Sequence, residues 1–248
     1  MHYIKKVQLD TIVNLPDWHY PYHHKKALPL SFEITKTLKP GTIVIHECID
    51  FYSLSRFDKD PQRKLQLQDD LDGTIEWMAK LRRMFPSQRI VMVESNHDKR
   101  LRKYLQSKAE ELSQLRCLRM EELMCLDKLK IEYKQFFIFK NILFKHGSIV
   151  RKHSAYTAKG ELEREGMSGG SGHTHRLGVH FKTLRGGKFV WIEGGCLCDP
   201  LKAEYIDGTA DWQNAVTGFD SIKGKSRFYP FIIPIIGGKA CFGKTLYS

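Results

Sequence analysis

The stretch RIVMVESNHDKRLRKYL, Arg89 to Leu105, opens with a β-branched hydrophobic run, stops at Ser95-Asn96-His97-Asp98 and continues as a basic segment. It reads as a strand, a polar loop and a helix. An amide, an imidazole and a carboxylate stand in a row where the strand ends. In sheets built from strand-helix-strand units, ligand sites form at the carboxyl ends of strands, so this junction points to an α/β fold with a site at the rim.

Working outward, Val7–Val13 and Gly41–Ile45 read as two earlier strands, with helices near Leu28–Leu38 and Leu67–Phe85 between them. The basic helix after Asn96 is expected to run to about Leu115, and a short helix to cover Glu121–Leu126. From Ile131 onward strand-like segments dominate. Phe136–Phe144, Val179–Leu184, Lys188–Glu193 and Val216–Ile222 are expected to form a second sheet. The expectation is two facing sheets flanked by helices, an α/β/β/α sandwich.

The length of 248 residues fits one domain spanning 1–248, and 42% hydrophobic with 27% charged residues is the composition of an ordinary globule. Apolar runs such as Phe228–Ile236 fall well short of the ~20 residues needed to span a bilayer. The N-terminal MHYIKKVQLD lacks a following signal-like apolar segment, so a cytoplasmic location is expected. Six cysteines show no CxxC pair and read as mostly small buried hydrophobes; Cys196 and Cys198 on one strand make a poor tetrahedral metal set. A formal charge of +12 favours anionic partners.

Five polar clusters occur in order: Asp17-Trp18-His19, Glu47-Cys48-Ile49-Asp50, Asn96-His97-Asp98, His146-Gly147 and Gly172-His173-Thr174-His175. Each alone is weak, since a lone His or an Asp-x-His triplet is more often a capping or hydrogen-bonded residue than a ligand. The series as a whole resembles the calcineurin-like metallophosphoesterases, whose motifs are DxH, GDxxD, GNHD or GNHE, a lone His, and GHxH. DFYSLSRFDKDP and WIEGGCLCDP further resemble phage- and prophage-encoded members, which implies a host cytoplasm.

The resemblance implies the four-layer sandwich of the metallo-dependent phosphatases and two divalent metal ions, Mn²⁺ first, with Fe²⁺ or Zn²⁺ as alternatives. One ion would be held by Asp17, His19, Glu47 and His175, the other by Glu47, Asn96, His146 and His173, with Glu47 bridging. Carboxylate, imidazole and amide oxygen together suit such transition metals. His97 would face the substrate as a transition-state donor or acid, and Asp98 would orient it or serve as a helix N-terminal carboxylate.

Arg56, Arg151 and His153 are candidate substrate contacts, with Arg56 alternatively pairing with Asp58. His23 and His24 read as a solvated loop or as the mouth of a cleft. Arg82, Arg83, Lys99, Arg100, Arg102 and Lys103 would give a basic track for DNA or RNA.

Two departures from the family pattern stand out: GDxxD has become HECID, so His46 replaces glycine and Glu47 replaces aspartate, and GNHD has become SNHD. A bulkier residue in a glycine's left-handed conformation would carry strain. The leading expectation is a two-metal hydrolase of nucleic acid or nucleotide phosphoesters. The alternatives are a non-catalytic scaffold on the same fold and a phosphatase acting on phosphoprotein.

Overall fold

The computed structural model describes residues 7–56, 58–202, 209–225 and 227–248. Residues 1–6, part of the N-terminal segment read for targeting, lie outside the described residues. The chain runs β1 (Leu9–Pro16), α1 (Ala27–Leu38), β2 (Thr42–His46), α2 (Leu67–Met84), β3 (Arg89–Val93), α3 (Asp98–Lys108), α4 (Met120–Leu123), β4 (Ile131–Lys134), β5 (Phe137–Phe139), β6 (Ile142–Phe144), α5 (Tyr156–Glu165), β7 (Ser168–Ser171), β8 (Leu177–Leu184), β9 (Gly187–Gly194), β10 (Asn214–Ile222), β11 (Phe228–Ile235), β12 (Ala240–Phe242) and β13 (Thr245–Tyr247).

Successive strand residues point to opposite faces, and the apolar runs are continuous because both faces of the central strands are covered. Val13, Leu15, Ile43, Ile45, Ile90 and Met92 pack outward with Leu28 and Phe32 of α1 and Met78 and Leu81 of α2. Ile12, Val44, Val91, Val93 and Phe219 point the other way and meet Ile142, Phe144, Val190 and Ile192 of the second sheet. On the far side of that sheet Leu143 and Trp191 pack with Ala158 and Leu162 of α5. Helices, sheet, sheet and helix therefore form the four-layer α/β/β/α sandwich. Phe144 is 1% exposed, and truncating it to alanine would cost about 3–5 kcal/mol.

The first sheet has the order β11-β10-β1-β2-β3-β4 and the second β5-β6-β7-β9-β8. β1 to β4 are parallel, while β10 returns antiparallel to β1 with Val13 opposite Gly218. This corrects one expectation: Val216–Ile222 belongs to the first sheet. Thr11 Oγ1 donates to Asp220 Oδ1 at 2.6 Å across that pairing.

Three element boundaries also differ. Phe136–Phe144 is a hairpin of β5 and β6 that turns at Lys140, which is left-handed with φ 54°. The basic helix ends at Lys108 and gives way to 3-10 turns at Glu110–Gln114 and Arg116–Leu118. β1 starts at Leu9 rather than Val7 and runs on to Pro16, so Asp17 follows the strand directly. Among the described residues no helix is long and apolar enough to cross a membrane. Cys48, Cys196 and Cys198 are buried, but Cys117 and Cys241 are exposed and Cys125 is half-buried, so the cysteines are core hydrophobes only in part.

Candidate metal centre

Each of the five clusters sits just past the carboxyl end of a strand: Asp17 after β1, Glu47 after β2, Asn96 after β3, His146 after β6 and His173 after β7. Parallel pairing of β1 with β2, of β2 with β3 and of β6 with β7 puts these ends on one rim. Backbone bonds tie the loops together. Asp17 N–H donates to His46 O at 2.9 Å, His19 N–H to Glu47 O at 3.0 Å and Gly172 N–H to His146 O at 3.1 Å. His173 N–H donates to the Asp17 carboxylate at 3.1 Å and joins the two sheets at the site.

Asp17, His19, Glu47 and His175 are buried, and each offers an atom within 4.8 Å of the others. His19 Nε2 lies 2.9 Å from Glu47 Oε2 and 3.0 Å from His175 Nε2, and His175 Nε2 lies 3.8 Å from Asp17 Oδ1. On the other side of Glu47, His146 Nε2 is 3.3 Å from Oε2 and 2.6 Å from Asn96 Oδ1. The His173 ring stands 5.0 Å from that of His146. Glu47 thus adjoins both groups, and its Oε1 is buried with no hydrogen-bond partner.

Burial works against the Glu47 carboxylate, yet the imidazoles of His146, His97 and His19 hold it well below the usual range. Burial, and then the charge of Glu47, pushes Asp17 up. Burial brings His175 down to about 3 and, with His146 beside it, His173 down to about 4, so both are neutral imidazoles at neutral pH. His19 differs: burial opposes its charge, but Glu47 and Asp50 outweigh it and raise the ring well above its usual value.

These residues fit divalent cations. Nitrogen and oxygen atoms that carry lone pairs converge at hydrogen-bond distance in a buried space. Such an arrangement needs a shared proton or a cation between them. The mixed donor set suits a transition metal rather than Ca²⁺ or Mg²⁺.

Backbone strain falls on the metal candidates and not on His46 and Ser95. Asp17, His19, Glu47, His173 and His175 all have φ between 51° and 74°, whereas His46 and Ser95 are not among the left-handed residues. At Gly172 a Cβ would stand 2.0 Å from Asp17 Oδ2 and 2.6 Å from His46 Cε1, so a side chain there would displace a metal candidate.

Comparison with known proteins agrees with a phage kinship. The chain is 28% identical over 244 residues to the Gene 54 protein of Mycobacterium phage D29 and 28% identical over 245 residues to that of Mycobacterium phage L5. Both alignments cover 92% of this chain and 94% of the relative. No family model matches. Solved structures that superpose include a single mutant of Vps29 from Entamoeba histolytica (TM-score 0.48, 10% identity, 97% of this chain and 100% of that one). Another is the nuclease MPE of Pseudomonas putida (TM-score 0.35, 11% identity, 89% and 87%).

Several residues take different places from those expected. Asp98 does not touch His97 in any hydrogen bond. Its Oδ2 accepts from Ser95 N–H at 2.8 Å while Ser95 Oγ accepts from Asp98 N–H at 3.1 Å, a reciprocal pair that starts α3. Burial raises Asp98 to about 7, with the Ser95 bonds opposing. His97 is framed instead by Asp50 Oδ2, 3.4 Å from Nδ1, and by Arg100 Nη2, 2.6 Å from Nε2. Burial lowers the His97 ring below its ordinary value.

Arg82 is withdrawn from the basic track. Its guanidinium donates to the carbonyls of Leu129, Lys130, Phe85 and Gln88 at 2.7 to 2.9 Å and ties α2 to the loop before β4. Lys99 and Arg102 pair with Glu94, and Arg100 with Asp50, while Arg83 and Lys103 are exposed. Arg56, Arg151 and His153 have exposed side chains. The Arg151 carbonyl accepts from Arg176, next to His175, at 3.0 Å. His24 Nδ1 accepts from Lys26 and Ala27 N–H at 3.1 Å at the start of α1, and His23 stacks on Tyr20 at 5.3 Å, so neither is a solvated loop residue.

The sequence reading missed two members of the site. Asp50, the last residue of the second cluster, accepts from His19 Nδ1 at 2.9 Å, and its place three residues after Glu47 was the available signal. His46 lies 3.0 Å from His146, and the sequence marks it only as a side chain in a glycine's place.

Proposed function

We propose that this chain is a calcineurin-like metallophosphoesterase that hydrolyses phosphoesters of nucleic acid or nucleotides with two divalent transition metal ions. The main support is the convergence of Asp17, His19, Glu47 and His175 within 4.8 Å, with His146 and Asn96 on the opposite side of the same glutamate. Asp17, His19 and His175 would hold one ion, Asn96, His146 and His173 the other, and Glu47 both. When bound, the pair supplies Lewis acidity toward phosphate oxygens and toward an attacking water.

The chain's own groups then bind and steer. His97 stands at the open side of the site, 12% exposed, with Nε2 3.7 Å from Glu47 Oε1 and 2.6 Å from the Arg100 guanidinium. Arg100 donates to His97 Nε2, so the guanidinium beside the ring is the group that offers its remaining N–H bonds to a phosphate oxygen, and a substrate that takes over the Arg100 contact would leave Nε2 free to carry a proton. Asp50 Oδ2 accepts from His19 Nδ1 at 2.9 Å and lies 3.4 Å from His97 Nδ1, so its carboxylate stands between the two rings. A polyanionic substrate is favoured by the net charge of +12 and by the exposed Lys103 on α3, whereas Arg83 lies at the amino end of β3, away from the site.

The test is a screen of Mn²⁺-loaded protein against bis- and mono-p-nitrophenyl phosphate, DNA, RNA and nucleotides. Hydrolysis of the diester and of a nucleic acid is the expected result. Two bound ions with no hydrolysis of any phosphoester would instead establish a scaffold.

A further inference from the structure

His46 is 1% exposed, and both of its ring nitrogens face side chains: Nδ1 lies 3.0 Å from His146 Nδ1, and Nε2 lies 3.1 Å from Asn14 Oδ1. Asn14 itself is 2% exposed, and its Nδ2 is buried with no partner. The three side chains come from β1, the end of β2 and the loop after β6, so they join both sheets beneath the metal centre.

A hydrogen bond between two imidazole nitrogens holds one proton, so one ring donates and the other accepts. The amide of Asn14 decides which. With its oxygen toward His46 it accepts the Nε2 proton, His46 Nδ1 becomes an acceptor, and the proton on His146 is placed on Nδ1. His146 Nε2 is then bare and faces Glu47 Oε2 at 3.3 Å and Asn96 Oδ1 at 2.6 Å. With the amide nitrogen toward His46 every role reverses, and His146 carries its proton on Nε2, where no cation can then bind.

We propose that His46 is a positioning residue: the chain Asn14–His46–His146 fixes the tautomer and ring plane of His146 and thereby makes it a ligand for the second divalent cation. The proposal rests on the two-metal reading above. Partners that fix a ligating imidazole in this way are worth about 10–100-fold in metal affinity. The side chain that fills the glycine position of the family pattern is, on this reading, part of the machinery of the centre.

The experiment compares His46→Gln with His46→Leu. The glutamine amide spaces an acceptor and a donor much as the two ring nitrogens do, so it can take the His146 Nδ1 proton and still donate to Asn14. Leucine fills the space and does neither. Titration with Mn²⁺ or Zn²⁺ at pH 7 should give two ions in the parent and in His46→Gln. His46→Leu should bind the first ion as the parent does and the second about 10–100-fold more weakly.

Parental affinity for both ions in His46→Leu would overturn the proposal, as would equal weakening in the glutamine variant, which would mark a packing role. A second readout needs no metal: in the metal-free, histidine-labelled parent the shared Nδ1 proton should give a slowly exchanging imidazole resonance that His46→Leu lacks. If the parent binds no ion the two-metal reading fails, whereas absence of that resonance sinks the His46 proposal by itself. Should His46→Leu not fold, Asn14→Ala against Asn14→Asp replaces it. Alanine is expected to weaken the second ion about 10-fold and aspartate, which still accepts from Nε2, to retain it; equal affinity in the two would overturn the proposal.

Discussion

Asp50 Oδ2 accepts a hydrogen bond from His19 Nδ1 at 2.9 Å, which leaves the opposite nitrogen of that ring facing Glu47 and His175. Burial opposes the Asp50 charge, but the bonds to His19 and His97 keep it ionised far below the usual carboxylate range. A charged acceptor at Nδ1 holds the ring's orientation and keeps Nε2 turned to the site. Asp50→Ala should therefore weaken the first ion about 100-fold and Asp50→Asn about 10-fold. Elemental analysis after dialysis checks this, and two full equivalents in Asp50→Ala would contradict it.

Glu47 is expected to be indispensable as a carboxylate but tolerant in length. Glu47→Ala leaves two adjacent cations without a shared anion and should lose at least one ion and nearly all hydrolysis. Glu47→Asp only shortens the reach, so it should keep metal and measurable turnover. Normal hydrolysis with two ions in Glu47→Ala would place the bridge elsewhere.

His97→Ala should separate chemistry from metal binding. Its nitrogens face Asp50 and Arg100 and it lies outside the Asp17–His19–Glu47–His175 group, although His19, Asp50 and His97 themselves form a group that could hold a cation. Loss of one transition-state donor or acid typically costs ~10²–10³-fold in rate. Metal content should stay near two ions, and an equal fall in metal would make His97 a ligand.

The acid limb of stability should depend on His23. Burial, with Lys202, Lys25 and His24 nearby, lowers this ring to about 4, and its Nδ1 is buried without a partner. An unfolded histidine titrates near 6.5, so between about 6.5 and 4 the unfolded chain takes a proton that the native ring refuses. The stability contributed is present above 6.5 and is lost as the pH falls to about 4. His23→Phe keeps the stack on Tyr20 and should flatten this slope by about 1–2 kcal/mol, below the full linkage value because the ring keeps some solvent contact. Urea unfolding at pH 4.5 and 7 measures it, and an unchanged slope would remove His23 as the cause.

The sequence makes the strand ends legible because hydrophobic runs that stop at polar clusters carry their own boundaries, as at Val93 and Ser95. It also makes the candidate ligands legible, since Asp17, His19, His146, His173 and His175 stand in the polar clusters that the fold brings together. Pairing across sheets is not written locally. Nothing in Val216–Ile222 tells it to pair with β1 rather than with β9, because the register is set by a partner some 200 residues away. Of the two readings of Asp98, the helix N-terminal carboxylate holds and contact with His97 does not, because the start of α3 turns the carboxylate back to Ser95 N–H. Arg82 looked like surface charge because carbonyl acceptors leave no trace in side-chain patterns.

The left-handed backbone at Asp17, His19, Glu47, His173 and His175 sets the centre against its own scaffold. A non-glycine residue in that region costs of order 1–3 kcal/mol, a sum comparable with the whole margin by which a domain stays folded. Glycine or asparagine at these five positions would relieve that strain and remove the candidate ligands together, so the residues found there are not the ones that backbone stability alone would select.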